Sequence, residues 1–551
     1  MTEASSEPRR GTTAARLLVV LPIALSLALA ARTASRDSCT IDEFGNLPLT
    51  VAYWRGHALH VDPGNPPLTR WIQGIPLLPQ HPDLGCTRAE LDSMRTSWEL
   101  GYRFEDAHPT DYQALLVRAR RGSIALLSLT VLGVFVLAGD LAGPGPAFGA
   151  ALLTATCPNL LAHGRLVTPD IGLACFGVWA VWAALRARRD GRFATCAFAG
   201  LLAGAATLAK FSGLLFVVLL VLVVADAARE VKARALRAAT FLGAALLVLY
   251  AGYGFPPPGL LHGWPTPLPR GVVEGIEAQL AEAPYPAYLL GHLREGGGWA
   301  SYHVVAFLVK TPLPVLALLL FALWRVVRER RTEFAVPLLV AVVFFAAFGA
   351  ATKKNVGLRY VLPVFPLAHV ACAAAFGGRR RIVPWALTAL AAASGISASR
   401  APLASFNGVE RFLGGKRAVL VDSNLDWGQA LPDLRDWQRR NGIETVQLAY
   451  FGRVDPSIYG IRWRTLPSKP VRGPVAISAT FAVGRPYSVL MKERPFLEAT
   501  RAWSTAQTWS WIKDVPPEEE LGGGAILVWK DVGPAYDAAM AAQKSAKKGR
   551  P

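Results

Sequence analysis

Charge is scarce in this sequence and acidic charge scarcer still: 18% of its 551 residues are charged, with 39 Asp and Glu against 58 Lys and Arg. Methionine and cysteine are also few, at four and six. There is no glycine-rich nucleotide-phosphate loop, no paired Cys/His spacing, no serine-nucleophile elbow and no internal repeat. These absences set aside P-loop NTPases, zinc modules, α/β-hydrolases and solenoids.

What is plentiful is apolar sequence. The chain is 52% hydrophobic, with a mean hydropathy of +0.31. Eleven apolar runs lie at about 16–32, 121–139, 144–162, 168–186, 194–208, 210–226, 236–254, 302–326, 333–351, 358–376 and 382–398. A bilayer core of about 30 Å needs roughly 20 such residues as a helix. The expectation is a polytopic α-helical membrane protein of about eleven transmembrane helices. It has a cytoplasmic tail at 1–15, a membrane-embedded module at 16–399 and outer loops at 33–120 and 254–301. The first run lacks a convincing small-residue cleavage site and reads as an uncleaved span.

The basic excess follows the membrane. Eighteen basic residues, among them Arg9, Arg186, Lys232, Arg325 and Arg379, fall in segments expected inside, and five fall in the short outside loops. This is the positive-inside bias and no nucleic-acid patch. It implies an integral membrane protein with both long loops and everything beyond about residue 400 extracytoplasmic, and the expected membrane is a bacterial inner (plasma) membrane.

The first outer loop opens with Asp42 and Glu43. Behind them Phe44, Leu47, Val51 and Trp54 keep helical spacing, and after Pro66-Pro67 so do Leu68, Trp71, Ile72, Ile75 and Leu78. Two amphipathic helices on the membrane face would hold the acids at the lipid–water boundary. Two readings stay open from spacing alone: the acids cap a helix, or one of them serves as a base. Cys39 and Cys86 share this loop, and a disulfide and two free thiols are equally open.

Further charges gather on the same side. "LLAHGRLVTPDIGLACF" holds His163, Arg165 and Asp170, "TLAKFSGLL" holds Lys210, and "TKKNVGLRYVLPVFPL" holds Lys353, Lys354 and Arg359. Lys310 lies inside an apolar run, where a charge is costly and marks function by default. A carboxylate can take a proton from a nucleophile, and Arg or Lys can hold a phosphate. Together they suit displacement at a sugar anomeric carbon with a lipid phosphate leaving. Such a leaving group needs no acid to protonate it, unlike the leaving group of a glycosidase.

The acidic pair, "NPPL", "HGRLVTPD", "LAKF", "FLVKTPLP" and "GLRYVLP" together resemble polytopic glycosyltransferases that use polyprenyl-phosphate sugars. These form the C-type fold class, with protein O-mannosyltransferases and lipid A aminoarabinose transferases among them. The resemblance covers about residues 15–400. It implies a polyprenyl-phosphate-linked sugar donor, a protein, lipid or glycan acceptor, and a membrane-lipid environment. By resemblance Asp42 is the essential acid and Asp170 the second acid; Glu43, adjacent to Asp42, is expected to support it as a hydrogen-bond acceptor or to belong to the helix's first turn. Arg165, Lys210, Lys310 and Arg359 would hold the donor phosphate, and His163, Asn65 and Arg70 would contact substrate. Asn65 replaces the lysine of the aminoarabinose transferases, which points to a different head group. No cofactor is implied with certainty, and the adjacent acids leave a divalent metal open.

Beyond the last run the composition changes to that of a soluble α/β or α+β domain at 400–537 with its own core, then a disordered basic tail at 538–551. Strands are expected at Val419–Val421, Val446–Tyr450, in "GPVAISATF" and in "GAILVWKDV", with a helix carrying Leu431, Leu434 and Trp437. In "DSNLDWGQ", Asp422, Asp426 and Gln429 could bind sugar or metal, with turn formation the favoured reading. The rival class is a transporter or flippase of lipid-linked sugars, which places its site near the midplane within repeats. A sensing role for the last domain would leave Lys310 and the Asp42 loop without purpose.

Overall fold

The computed structural model describes residues 17–56, 59–226, 229–351, 353–376, 382–490 and 503–548. The expectations for the 1–15 tail and for Arg379, Arg380 and Arg381 lie outside these residues. Helices form at all eleven apolar runs, yet few are straight spans. Helix α1 is Val20–Arg36, α2 Ile41–Trp54, α3 Tyr112–Ala142, α4 Asp170–Asp190, α5 Phe193–Ala209 and α6 Val231–Gly252. Among the described residues four helices are long and apolar enough to cross a membrane: α3, α4, α6 and Thr332–Gly349.

The expected span at 302–326 is instead two helices, α7 (Tyr302–Lys310) and α8 (Leu313–Arg328), whose axes differ by 110°. Counting that pair as one span raises the number to five. The cause is local. Pro312 offers no N–H and pushes Thr311 out of the helical region, to ψ 128. Lys310 therefore closes a helix rather than sitting within one. Other runs give short helices: α5 has 17 residues, a reach of about 25 Å against a hydrocarbon core of about 30 Å.

The helices pack in sequence order, α3 on α4, α4 on α5 and α5 on α6. Small residues permit the closest of these approaches. A Cβ on Gly200 would lie 2.1 Å from the Phe241 carbonyl oxygen, so α5 and α6 meet backbone to backbone.

Helix α2 corrects the picture of a surface helix. Its stripe of Phe44, Leu47 and Val51 is buried, as is most of its other face, and only Trp54 at its end is exposed. The stripe joins Leu100, Phe104 and Tyr112 of the same outer loop and Trp437, Val446, Leu448 and Ile526 of the carboxy-terminal part in one core. Each fully buried Leu or Phe there contributes about 1.5–3 kcal/mol. Gly101 lets the neighbouring helix Ser97–Ala107 come close, since a Cβ there would stand 2.5 Å from the Phe44 ring. The second stripe forms Leu68–Gly74 and a 3-10 turn, with Ile75 and Leu78 left exposed.

The carboxy-terminal part carries a five-stranded sheet. Its strands are β1 (Val446–Ala449), β2 (Trp463–Thr465), β3 (Val475–Ser478), β4 (Glu519–Leu521) and β5 (Ile526–Trp529), in the order β2-β1-β3-β5-β4. β1 is parallel to β2 and β3, and β5 is antiparallel to β3 and β4. Helix α9 (Leu431–Arg440) lays Leu431, Leu434 and Trp437 into the shared core. The expected strand at 419–421 is replaced by a short helix at Lys416–Val419 and a 3-10 turn at Asp422–Asn424. Gly533–Lys548 is helical where a disordered tail is expected, its alanine-rich sequence favouring a helix.

The topology can be checked directly. A reporter fused after residue 192, 237 or 331 is expected to be cytoplasmic, and one after 300 or 420 extracytoplasmic. A cytoplasmic signal at 420 would overturn the orientation.

Candidate functional site

The site starts at the entry of α2. Glu43 folds back on the helix start, where its Oε2 accepts the Thr40 N–H and hydroxyl, each at 3.0 Å. Arg120 grips both carboxylate oxygens, at 2.8 and 2.6 Å, and the Val167 N–H adds a bond of 2.9 Å. Burial pushes this carboxyl up, but Arg120 and the N–H donors outweigh it and hold Glu43 below the ordinary glutamate value. Glu43 is fully buried, and its carboxylate is taken up by Thr40, Arg120 and Val167. It locks the first outer loop to α3 and to the turn before α4.

One residue earlier, Asp42 points elsewhere. Its Oδ2 accepts a 2.6 Å hydrogen bond from Nη1 of Arg359, which arrives on the 3-10 turn Leu358–Val361. The same Nη1 lies 3.7 Å from Asp170 Oδ2, and Asp170 Oδ1 takes a 2.6 Å bond from Lys210 Nζ. Asp170 opens α4, where an acid meets the positive end of the helix dipole, and Lys210 stands at the extended break after α5. Two acids and two cations thus form one chain of contacts. The Asp42 side chain is 29% exposed, against 11% for Arg359, 10% for Lys210 and 0% for Asp170, so Asp42 is its open end.

Aromatic rings frame the cations. Lys210 Nζ is 4.8 Å from the Tyr360 ring centre, and the Arg359 guanidinium carbon is 5.2 Å from the Tyr360 ring and 4.4 Å from that of Trp427. Among the described residues Arg359 Nε and Asp170 Oδ2 make no hydrogen bond, which leaves polar valence inside the cluster. Among them, too, no three or more His, Cys, Asp or Glu gather as metal ligands. The acids here do not fit a divalent ion: Asp42 and Asp170 are each compensated by a cation, and Glu43 is fully engaged by Arg120 and its N–H donors.

Other candidates lie around this chain rather than in it. Arg165 is buried and paired at 2.6 Å with Asp37, and its Nε and Nη1 make no hydrogen bond among the described residues. His163 meets the edge of Trp427, ring centres 6.1 Å apart. Lys310 donates to the carbonyls of Leu403 and Asn424, at 2.8 and 2.5 Å, so it fastens the broken span to the carboxy-terminal part. Asn65 and Arg70 form a separate cluster. Arg70 is buried, bonded to Asn46 at 2.9 Å and Tyr53 at 2.9 Å and paired with Asp62, which also accepts from Asn65. Cys39 and Cys86 are free thiols, and Cys39 lies 3.4 Å from the Tyr112 hydroxyl.

Sequence reasoning missed Tyr360, Trp427 and Arg120. Arg120 sits at the end of the outer loop with no local sign of its partner 77 residues away. Tyr360 directly follows Arg359 and could have been singled out as its neighbour.

Fold and cluster together define a largely helical protein, several of its helices long and apolar enough to cross a membrane, with paired acids and cations where α2, α4, α5 and the Leu358–Val361 turn meet. Residues 115–251 match the family model for dolichyl-phosphate-mannose-protein mannosyltransferases. The matched stretch includes Asp170 and Lys210, while Asp42, Arg359 and the sheet fall outside it. No curated protein matches the sequence. Among solved structures, ArnT from Cupriavidus metallidurans in the apo state is similar at 12% identity and TM-score 0.49, covering 90% of this chain and 98% of its own. The same protein bound to undecaprenyl phosphate gives 13%, 0.46, 89% and 98%. The apo oligosaccharyltransferase of Archaeoglobus fulgidus gives 14%, 0.41 and 77%, and the alignment spans 58% of that longer chain.

Proposed function

We propose that this protein transfers a sugar from a polyprenyl-phosphate donor to a protein, lipid or glycan acceptor on the extracytoplasmic face of the membrane. The observation that carries this reading is the chain Asp42–Arg359–Asp170–Lys210, with Asp42 as its open end. Asp42 acts as the general base. The acceptor's hydroxyl or amine gives its proton to the carboxylate, and its oxygen or nitrogen bonds to the anomeric carbon. The bond from that carbon to the phosphate oxygen breaks, and the electron pair leaves with the lipid phosphate. Arg359 and Lys210 hold that phosphate and neutralise the charge it gains.

The ion pair between Asp42 and Arg359 gives the reaction an order. A carboxylate bonded to a guanidinium is a poor base, and an arriving phosphate competes for the same donors. Donor binding would draw Arg359 away and release Asp42 for the acceptor. Asp170, buried between the two cations, keeps them together once Asp42 is released.

The reading is tested on the cations. Arg359→Ala and Lys210→Ala are each expected to weaken polyprenyl-phosphate binding about ten- to a hundredfold, the effect of losing one charge-assisted contact of about 1.5–3 kcal/mol. Thermal unfolding measured beside binding separates this from loss of fold. Unchanged donor dependence in both folded variants would remove these residues from the site.

A further inference from the structure

The segment Asp422–Gln429, whose sequence favours a turn, touches both halves of the charged cluster. On the Asp42 side, the Ser38 N–H donates to the Gln429 carbonyl at 3.1 Å and the Ile41 N–H to the Trp427 carbonyl at 3.0 Å. The Ser38 hydroxyl donates to the Gly428 carbonyl at 2.7 Å. On the Arg359 side, the Leu358 N–H donates to Asn424 Oδ1 at 3.0 Å, and the Ser423 hydroxyl to the Val356 carbonyl at 2.7 Å. The approach is tight, since a Cβ on Gly357 would stand 1.9 Å from the Ser423 oxygen.

The segment is itself held in an uncommon shape. Asp422 is buried with φ 58, a left-handed conformation that non-glycine residues seldom keep unless the surroundings impose it. Its carboxylate pairs with Arg485 at 2.9 Å, and Arg485 Nε donates to the Pro286 carbonyl at 2.9 Å, next to Tyr285. Between the two sets of pins stands Trp427, 2% exposed, with its ring against the Arg359 guanidinium.

We propose that Trp427 is a positioning residue for the donor phosphate: its ring holds the Arg359 guanidinium between Asp42 and Asp170, which makes the carboxy-terminal domain part of the transfer site. This rests on the donor reading given above. An arginine between two carboxylates has several arrangements open to it, and a guanidinium that folds wholly onto one acid is lost to the phosphate. A flat aromatic face fixes the guanidinium plane without consuming a hydrogen-bond donor, and in a buried setting the attraction is strong. Nε, which makes no hydrogen bond among the described residues, then stays open to a phosphate oxygen. The competing account is packing alone, because Trp427 also lies in a core with Ile41, Ala162 and Phe451.

A double-mutant cycle separates the two. Full-length protein in lipid nanodiscs would be measured for undecaprenyl-phosphate binding and thermal unfolding, as wild type, Trp427→Leu, Trp427→Phe, Arg359→Ala and the doubles. Trp427→Leu is expected to weaken binding about five- to thirtyfold, the range a guanidinium–ring contact supports. Trp427→Phe keeps a smaller face and loses about threefold. In the Arg359→Ala background both effects on binding vanish, because the ring no longer has a guanidinium to hold. If the leucine variant does not fold, the phenylalanine loss and its disappearance carry the test. Losses that add to Arg359→Ala, or wild-type binding by folded Trp427→Leu, overturn the positioning role alone. A wild type that does not bind undecaprenyl phosphate overturns the donor reading and this inference with it.

Discussion

Asp42→Asn is expected to lower sugar transfer by about 10²–10⁴-fold, the contribution of a general base, while polyprenyl-phosphate binding is kept or tightened. The substitution preserves shape and removes only the charge and proton affinity. Tighter binding follows from the geometry: the Asp42 carboxylate holds Arg359 Nη1 at 2.6 Å, so it competes with the phosphate for that donor. An asparagine competes less. The fold should tolerate the change, because Asp42 is partly exposed and the start of α2 is fixed by the bonds of Glu43 to Thr40. Transfer and binding measured on the same preparation check both halves. Full transfer together with a lowered melting temperature would make Asp42 a structural acid and end its assignment as the base.

How much of this was legible in the sequence varies from residue to residue. Apolar runs located the helices, because the length a bilayer demands is written directly in composition. Their breaks were harder to see, since the bend at Thr311-Pro312 depends on a backbone conformation that hydropathy does not record. The helical period of Phe44, Leu47 and Val51 was correct, but a stripe says only that something apolar covers it. Here the cover is the neighbouring helix Ser97–Ala107, which shares one core with the carboxy-terminal sheet and α9. Asp42, Asp170, Lys210 and Arg359 were recognisable as charges gathered on one side of a membrane, and the structure brings these four together. Lys310, Asn65 and Arg70 looked alike in sequence yet belong to other networks, because a partner such as Leu403 or Asp62 is chosen by tertiary packing.

Glu43 shows the same ambiguity at the level of two neighbours, and its variants should behave unlike those of Asp42. Arg120→Ala is expected to cost about 3–5 kcal/mol of stability, the penalty for leaving a buried carboxylate without its cation. Both side chains of this pair are fully buried, so water cannot replace the lost partner. Glu43→Gln keeps some hydrogen bonds and should cost less, about 1–3 kcal/mol. Replacing both residues by apolar ones of similar volume removes the pair's desolvation penalty but orphans the Thr40 and Val167 N–H groups, so it should recover only part of the loss. Acid acts on the same pair. The Glu43 carboxyl titrates below its ordinary value of 4.5, so its stabilisation is fully present above that pH and drains away as the pH falls through the lower folded value. Thermal unfolding of the wild type, both single variants and the double variant, at neutral and acidic pH, reads each of these effects. If Arg120→Ala melts like the wild type yet transfers no sugar, Glu43 takes part in the chemistry, and the division of labour between the adjacent acids is wrong.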